Sequence, residues 1–113
     1  MRTAAQKAEN TVVVIGEGMG RVQSARNALI ENGTKNVEVF KPSKDAMTEW
    51  DALTAGGKHI DDDVVKGTML YKENVNWIQK AIQSGKTILD IGNDGRSIES
   101  TFYRMEKQTV YGN

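Results

Sequence analysis

The sequence predicts an α/β fold, in which helices flank a small, mostly parallel sheet of three to four strands. Segments with strand-like and helix-like periodicity alternate along the chain, which is typical of a parallel sheet covered by helices. The first strand, Thr-Val-Val-Val-Ile at residues 11–15, is an uninterrupted β-branched run, as in strands that are buried on both faces. A glycine-rich turn at residues 16–21 then leads into a helix.

The spacing of apolar residues places the remaining elements in order. Val22, Ala25 and Leu29 share one face of the first helix, and the Asn-Gly pair at residues 32–33 ends it. The elements that follow are a strand, two helices, a strand and a final helix, at residues 37–40, 43–53, 68–84, 87–91 and from Ser97 onward.

Two stretches have a less regular pattern. Residues 56–67 are predicted to be a loop, and residues 63–70 are the place where a fourth strand would lie. In the last helix Ser97 is predicted to be the N-cap, with Ile98, Phe102 and Met105 on one face. The order of elements predicts Rossmann-like layering of helices on the sheet.

Length and composition limit the domain organisation and the chemistry. The 113 residues suffice for a single domain at residues 11–113, which follows a polar, flexible arm or linker at residues 1–10. The absence of cysteine excludes disulfides, thiolate metal sites and a cysteine nucleophile, and the one histidine excludes a two-histidine acid–base pair. Fifteen basic and fifteen acidic residues give no net charge, so RNA binding would need a local patch or a partner.

Two glycine turns carry most of the candidate site residues. In a parallel sheet the carboxyl ends of neighbouring strands share one edge, so the turns at 16–21 and 92–96 are expected to converge if the first and third predicted strands are neighbours, an order that the sequence does not determine. They bring together three carboxylates and two arginines, at Glu17, Asp90, Asp94, Arg21 and Arg96. Arginine binds phosphate in a bidentate manner, and a carboxylate acts as a base or metal ligand. The alternative is that the glycines only turn the chain and that the charges are solvated.

The last helix starts next to the same edge and offers Ser100, Tyr103 and Glu106 as further candidates, unless it is a surface helix with an aromatic lid. The glycine turn fits the dinucleotide-binding pattern poorly, because Arg21 stands where that pattern has its third glycine. It still suits anion binding at a helix N-terminus, through Gly16 and Gly18.

Several other residues have an ordinary structural interpretation. His59 is expected to be an exposed loop residue, and the aspartates at residues 61–63 a solvated turn. Trp50 and Trp77 are expected to belong to the core, with base stacking as the alternative.

Two parts of the chain, within residues 11–107, resemble a domain at the extreme C-terminus of large bacterial polymorphic toxins, of the Rhs and contact-dependent growth inhibition kinds. The first is Val-Val-Ile-Gly-Glu-Gly-Met-x-Arg-Val at residues 13–22. The second comprises Asn-x-x-Trp-Ile from residue 74, Gly-Lys-x-Ile-x-Asp-Ile-Gly-x-Asp from residue 85 and Ser-x-Phe-Tyr-x-x-Glu-Lys from residue 100. The chain departs from that pattern at residues 98–101, where a proline would precede Phe102.

The resemblance implies the effector tip of a larger secreted protein, which acts in the cytoplasm of a target cell and is neutralised by a cognate immunity protein. Many such tips are nucleases, often specific for tRNA, and some need a host translation factor. The resemblance extends to the polar positions Glu17, Arg21, Asp90, Asp94, Ser100, Tyr103 and Glu106.

The leading hypothesis is therefore an antibacterial toxin with ribonuclease activity, for which tRNA is the favoured substrate. In it Glu17 or Asp90 is the base, and Arg21 or Arg96 holds the phosphate. Alternatively Asp90, Asp94 and Glu106 hold Mg²⁺ for hydrolysis. The full catalytic set is Glu17, Asp90, Asp94, Tyr103 and Glu106, with Gly16, Gly18, Arg21, Arg96 and Ser100 as substrate-binding residues. The other hypotheses are a toxin that hydrolyses or modifies NAD or ATP, and a non-catalytic nucleotide-binding module.

Overall fold

The computed structural model of the chain describes residues 11–95 and 98–112. The predicted arm at residues 1–10, and the roles predicted for Arg96 and Ser97, lie outside the described residues. The elements in chain order are β1 (Val12–Ile15), α1 (Met19–Glu31), β2 (Val37–Glu38), α2 (Lys44–Leu53), α3 (Asp62–Lys66), α4 (Met69–Gln83), β3 (Thr87–Asp90) and α5 (Thr101–Tyr111), with a short 3₁₀ turn at Ala55–Gly57 after α2.

The three strands form a parallel sheet in the order β2-β1-β3, which confirms the predicted fold class. The central strand β1 is paired on both sides, with Val12 opposite Val37 of β2 and Ile15 opposite Asp90 of β3. Because β1 is covered on both faces, its uninterrupted apolar run is the pattern that such a strand requires.

Helices pack on both faces of the sheet and divide the core into two clusters. On one face Val13 and Ile15 pack against α4 and α5, where Ile78 and Met105 are buried. On the other face Val14 of β1 packs against α1. The chain continues from β2 to β3 on the opposite side of β1, so the crevice between β1 and β3 is where the strand order reverses.

Residues 63–70 contain no strand but lie in α3 and in the start of α4, so the suggestion of a fourth strand there is wrong. The predicted loop at residues 56–67 likewise contains the short helix α3. Val65 is buried, whereas its neighbours Val64 and Lys66 are exposed. A helix of five residues buries only about one residue per turn, here Val65. A single buried position does not establish a helical period, so the sequence pattern does not reveal this helix.

The last helix begins later than the sequence suggests. Ser100 is the N-cap of α5, and its side-chain oxygen accepts a hydrogen bond from the backbone N–H of Tyr103 at 3.1 Å. Ile98 therefore precedes the helix and is 76% exposed, so its predicted place on the apolar face with Phe102 and Met105 is wrong.

Side-chain hydrogen bonds hold the helices around the carboxyl edge of the sheet. Glu73 of α4 accepts from the backbone N–H of Ser43, the N-cap of α2, at 2.8 Å. Glu49 of α2 accepts from the backbone N–H of Met69 at the start of α4 at 2.7 Å. Asp62 of α3 accepts from the Thr101 hydroxyl of α5 at 2.6 Å. Among the described residues no helix combines the length and the apolar character that crossing a membrane requires.

Candidate functional site

The turns that follow β1 and β3 are joined directly, as their predicted convergence requires. The backbone N–H of Glu17 donates to the carbonyl of Gly92 at 3.1 Å. The Arg21 guanidinium completes the junction by donating to the carbonyls of Glu17 at 2.9 Å, Gly92 at 3.1 Å and Ile91 at 3.1 Å. Arg21 therefore bridges the start of α1 and the end of β3 through its planar fork of N–H groups.

Glu17 is buried, with 1% of its surface exposed, and both of its carboxylate oxygens bind backbone. Oε1 accepts from the backbone N–H of Asp94 at 3.0 Å, and Oε2 accepts from the backbone N–H of Ser100. These bonds fix the turn after β3 and the entry to α5. The geometry gives Glu17 a positioning role at the place where the sequence suggested a catalytic base.

Asp90 accepts three hydrogen bonds at the end of β3. The Tyr103 hydroxyl donates at 2.7 Å, the Tyr111 hydroxyl at 2.9 Å and the backbone N–H of Gly92 at 2.8 Å. Burial raises the pKa of Asp90, but these hydrogen bonds favour the charged form more strongly and leave its pKa below the ordinary value. Burial and the neighbouring Asp90 raise the pKa of Tyr103. Asp90 is thus a weak base, and Tyr103 holds its proton.

A cavity of about 360 Å³ lies at the carboxyl end of β1, among α1, α2, α4 and α5. Its walls are mainly apolar and aromatic, with Met19, Phe40, Met47, Trp50, Leu70 and Phe102 among the lining residues. The rings of Trp50 and Phe102 meet edge to face, with their centroids 5.3 Å apart. The polar side chains on its surface come from Asn74, Ser100 and Glu106. A largely apolar cavity with a few convergent polar groups is the usual form of a small-ligand site.

Glu106 is the titratable residue of this cavity and is only 6% exposed. Burial raises its pKa to about 7, and the nearby charge of Asp90 acts in the same direction. Hydrogen bonding from the Asn74 side chain and from the backbone N–H of Gly16 opposes this shift. Near neutral pH both protonation states of Glu106 are populated, which is the condition that a general acid or base requires.

Asn74 lies beside Glu106 on α4 and is 3% exposed. Its Oδ1 atom is buried and has no hydrogen-bond partner among the residues that the structure describes. An unpaired buried acceptor costs about 1–3 kcal/mol, so such atoms are uncommon in folded proteins.

Asn74 was not among the candidate site residues predicted from the sequence. The buried positions of α4 are Leu70, Asn74, Ile78 and Ala81, so a polar residue interrupts an otherwise apolar helix face. That interruption is the signal by which the sequence could have identified it.

The N-terminus of α1 borders the same cavity through Gly16, Gly18 and Met19. No side chain of residues 11–95 or 98–112 caps this terminus, and the first turn of the helix contains no acidic residue. Gly18 has φ +89°, and a Cβ on Gly16 would overlap the side chain of Ile91, so the turn depends on both glycines. The N-terminus of this 13-residue helix, with the positive end of its dipole, therefore lies at the cavity.

The structure divides the predicted site residues into two groups. Gly16, Gly18, Ser100 and Glu106 line the cavity. Glu17, Arg21, Asp90 and Tyr103 are engaged in the hydrogen bonds that shape its surroundings, and Asp94 is exposed.

The structure also places the remaining predicted residues. Within the described ranges no three acidic or histidine side chains form a metal-binding group, and Asp90, Asp94 and Glu106 are not brought together as one. His59 is exposed and lies 3.6 Å from Asp61. Trp50, which was predicted to be a core residue, lines the cavity.

Comparison with family models, with curated proteins and with solved structures gives no match to this chain. The site is therefore interpreted from its own geometry.

Proposed function

We propose that this domain is a toxin effector that hydrolyses the bond between base and ribose of a nucleotide, with Glu106 as the acid–base residue. The observation that carries the proposal is the position of Glu106, a buried carboxyl with a pKa of about 7 in a cavity with aromatic walls. This proposal favours nucleotide hydrolysis, the second of the hypotheses drawn from the sequence.

Hydrolysis of the bond between base and ribose requires a group that gives and accepts a proton, and Glu106 is such a group in the cavity. Cleavage of an N-glycosidic bond passes through a transition state with positive charge on the ribose, as in other glycoside hydrolysis. As the C1′–N bond breaks, a protonated carboxyl gives its proton to a base that is neutral when attached, such as adenine, whereas the cationic nicotinamide of NAD departs as a neutral base without taking a proton. The carboxylate that remains stabilises the positive sugar and accepts a proton from water as the new C1′–O bond forms.

The surroundings of Glu106 suit a bound nucleotide. Trp50, Phe40 and Phe102 offer aromatic faces and edges to a planar base. The N-terminus of α1, which borders the cavity, suits a phosphate group. A nucleotide that spans these two features would carry its ribose past Glu106.

The ribonuclease hypothesis, with tRNA as substrate, stays a prediction. RNA cleavage develops negative charge at phosphorus, which arginine or lysine commonly stabilises. No described residue that lines the cavity is basic, and Arg21 is engaged with backbone carbonyls. The cavity therefore suits chemistry at the sugar better than chemistry at the phosphate.

The biological setting is part of the proposal and rests on the resemblance to polymorphic toxins. We expect the domain to be delivered as the tip of a larger secreted protein and to act in the cytoplasm of the target cell. A cognate immunity protein would block it, and a host translation factor remains a predicted partner for the tRNA alternative.

Incubation of the purified domain with NAD, ATP and total tRNA, followed by chromatography of small products and a denaturing gel, tests the proposal. We expect free base to be released by wild type and by the control Glu31→Gln, whose side chain is exposed at the end of α1, but not by Glu106→Gln. Cut tRNA with all nucleotides intact would contradict the proposal and support the ribonuclease. Repeating the assay with Mg²⁺ and with EDTA tests the alternative in which Mg²⁺ takes part in hydrolysis.

A further inference from the structure

We propose that a groove beside the cavity binds a second nucleotide unit, so that the nucleotide hydrolysed in the cavity is joined through phosphate to another. This inference rests on the proposed function and names the substrate class of the same site. A dinucleotide such as NAD and a nucleic-acid strand share this chemistry, and the binding experiment distinguishes the two.

The groove lies at the outer strand of the sheet, β2, which pairs with β1 on one side only. Its volume of about 350 Å³ is close to that of the cavity and within the usual range of small-ligand sites. Three elements contribute its lining residues, which are Arg26 of α1, Val37, Glu38, Val39 and Lys41 in and after β2, and Trp77 of α4. We call it the β2 groove.

The β2 groove adjoins the cavity on each of these elements. Phe40 lines the cavity, and the next residue, Lys41, lines the groove. On α1, Val22 of the cavity and Arg26 of the groove are one turn apart on the same face of the helix. The rings of Phe40 and Trp77 are in contact, with their centroids 5.7 Å apart. The two spaces are therefore close enough for one ligand to occupy both.

The β2 groove contains the cationic side chains that the cavity lacks. Lys41 is exposed and Arg26 half-buried, and neither forms an ion pair with a residue in the described ranges. Arg26 donates to the uncharged Oδ1 of Asn27 at 3.3 Å. Glu38, the acidic residue of the groove, is paired with Lys86 at 2.9 Å. Because arginine and lysine are the side chains that bind phosphate, the phosphates of a longer ligand find their partners here.

Trp77 gives the β2 groove an aromatic wall. Its side chain packs on the core cluster of α4, but it is only half-buried, so part of its surface is accessible. An aromatic side chain beside cations is the combination with which proteins bind successive bases and phosphates of a nucleic-acid strand. This is the base-stacking role that the sequence left open for Trp77.

Ligands of different length test the inference. Isothermal titration calorimetry measures the binding of AMP, nicotinamide mononucleotide, NAD and the RNA trinucleotide ApApA to Glu106→Gln, which is expected not to hydrolyse them. We expect NAD or ApApA to bind at least about 10-fold more tightly than either single nucleotide. The longer ligand with the greater preference identifies the substrate as a dinucleotide or as a nucleic-acid strand.

Variants of the two cations assign this preference to the β2 groove. Arg26→Gln combined with Lys41→Gln is expected to weaken binding of the longer ligand by about 10-fold and to leave the single nucleotides unaffected, a split that misfolding does not produce. Lys41→Gln alone, at an exposed position, is expected to give part of this loss, and it serves as the test if circular dichroism shows that the double variant is unfolded. The control combines Lys58→Gln with Lys72→Gln, two exposed lysines that line neither space, and should leave every affinity unchanged.

The inference is overturned if no longer ligand binds more tightly than the single nucleotides, or if the folded Arg26 and Lys41 variants keep the preference. Its failure is distinguishable from failure of the proposed function. Release of base by wild type, lost in Glu106→Gln, together with equal binding of short and long ligands, would reject the groove and leave the hydrolase standing. A preference that depends on Arg26 and Lys41, without release of base from any nucleotide, would support the groove and reject the hydrolase.

Discussion

At Glu106 the fold stabilises a protonated carboxyl in a place where a charged one is costly. The ordinary pKa of this side chain is 4.5, and burial raises it to about 7. The folded state therefore binds a proton that the unfolded chain has released between these two pH values. Stability from this residue is complete below about pH 4.5 and is lost as the pH rises to about 7.

Replacement of Glu106 by glutamine is predicted to remove this pH dependence. Between pH 4.5 and 7.5 wild type is expected to lose about 3 kcal/mol more unfolding free energy than Glu106→Gln. Urea unfolding of both proteins across this range measures the difference, and groups such as Asp90 cancel because both proteins contain them. Parallel pH curves would show that Glu106 titrates as an ordinary surface carboxyl.

Glu17 is predicted to stabilise the fold and to have no direct part in the chemical step. Glu17→Ala deprives the backbone N–H groups of Asp94 and Ser100 of their acceptor in a buried place. We expect a loss of roughly 2–4 kcal/mol in unfolding free energy, measured by urea denaturation. Glu31→Ala, at an exposed site, is the control and should change stability by less than about 0.5 kcal/mol. A stable but inactive Glu17→Ala would instead support the catalytic role suggested by the sequence.

At the scale of elements, the turn between β1 and α1 depends on a close approach to the turn after β3. Gly16→Ala places a Cβ against Ile91, and we expect a loss of about 1–3 kcal/mol from overpacking, together with loss of the cavity mouth. Gly20→Ala is the matched control, because its added Cβ meets no described atom within 4 Å outside its chain neighbours and the adjacent backbone of its own helix. As a residue of α1 it should stabilise the protein by up to about 1 kcal/mol. Equal thermal stability of the two variants would contradict this account of the turn.

The elements differ in how far the sequence determines them. The run at residues 11–15 and the turns at 16–21 and 92–96 predict β1 and a parallel sheet, because strand burial and turn chemistry are local properties. The sequence does not determine the strand order, and the order β2-β1-β3 is what brings the two turns together. Helix α3 was not predicted, because one buried valine in five residues carries too little periodicity. The N-cap of α5 depends on Glu17 holding the backbone of Ser100, a contact 83 residues apart in the chain.

The sequence predicts where the candidate site lies but identifies only some of the residues that line it. The sequence places it at the carboxyl edge of the sheet and names Glu106, which the structure finds in the cavity. It also names Glu17 and Arg21, whose side chains form hydrogen bonds that join the two turns. The charge of a side chain does not reveal whether it binds a ligand or forms hydrogen bonds with backbone groups of the protein. The sequence analysis did not select Asn74, although it is a polar residue on an otherwise apolar face of α4.

At the scale of the whole molecule, the two core clusters pack on the two faces of β1, and the cavity lies at the carboxyl end of that strand. The α1 N-terminus, the aromatic side chains of α2 and α5 and the polar side chains of α4 and α5 surround one volume. The hydrogen bonds of Glu73, Glu49 and Asp62 hold these helices in place from outside it. In the proposed function a single carboxyl, that of Glu106, carries out the chemistry in this cavity.

Induced expression in a bacterium that lacks an immunity gene tests this assignment most directly. Wild type, Glu106→Gln and the control Glu31→Gln are compared at equal protein levels, with growth as the readout and circular dichroism of the purified proteins as the check on folding. We predict growth arrest by wild type and by Glu31→Gln, and normal growth with folded Glu106→Gln. Equal arrest by wild type and Glu106→Gln, or no arrest by folded wild type, would contradict the account.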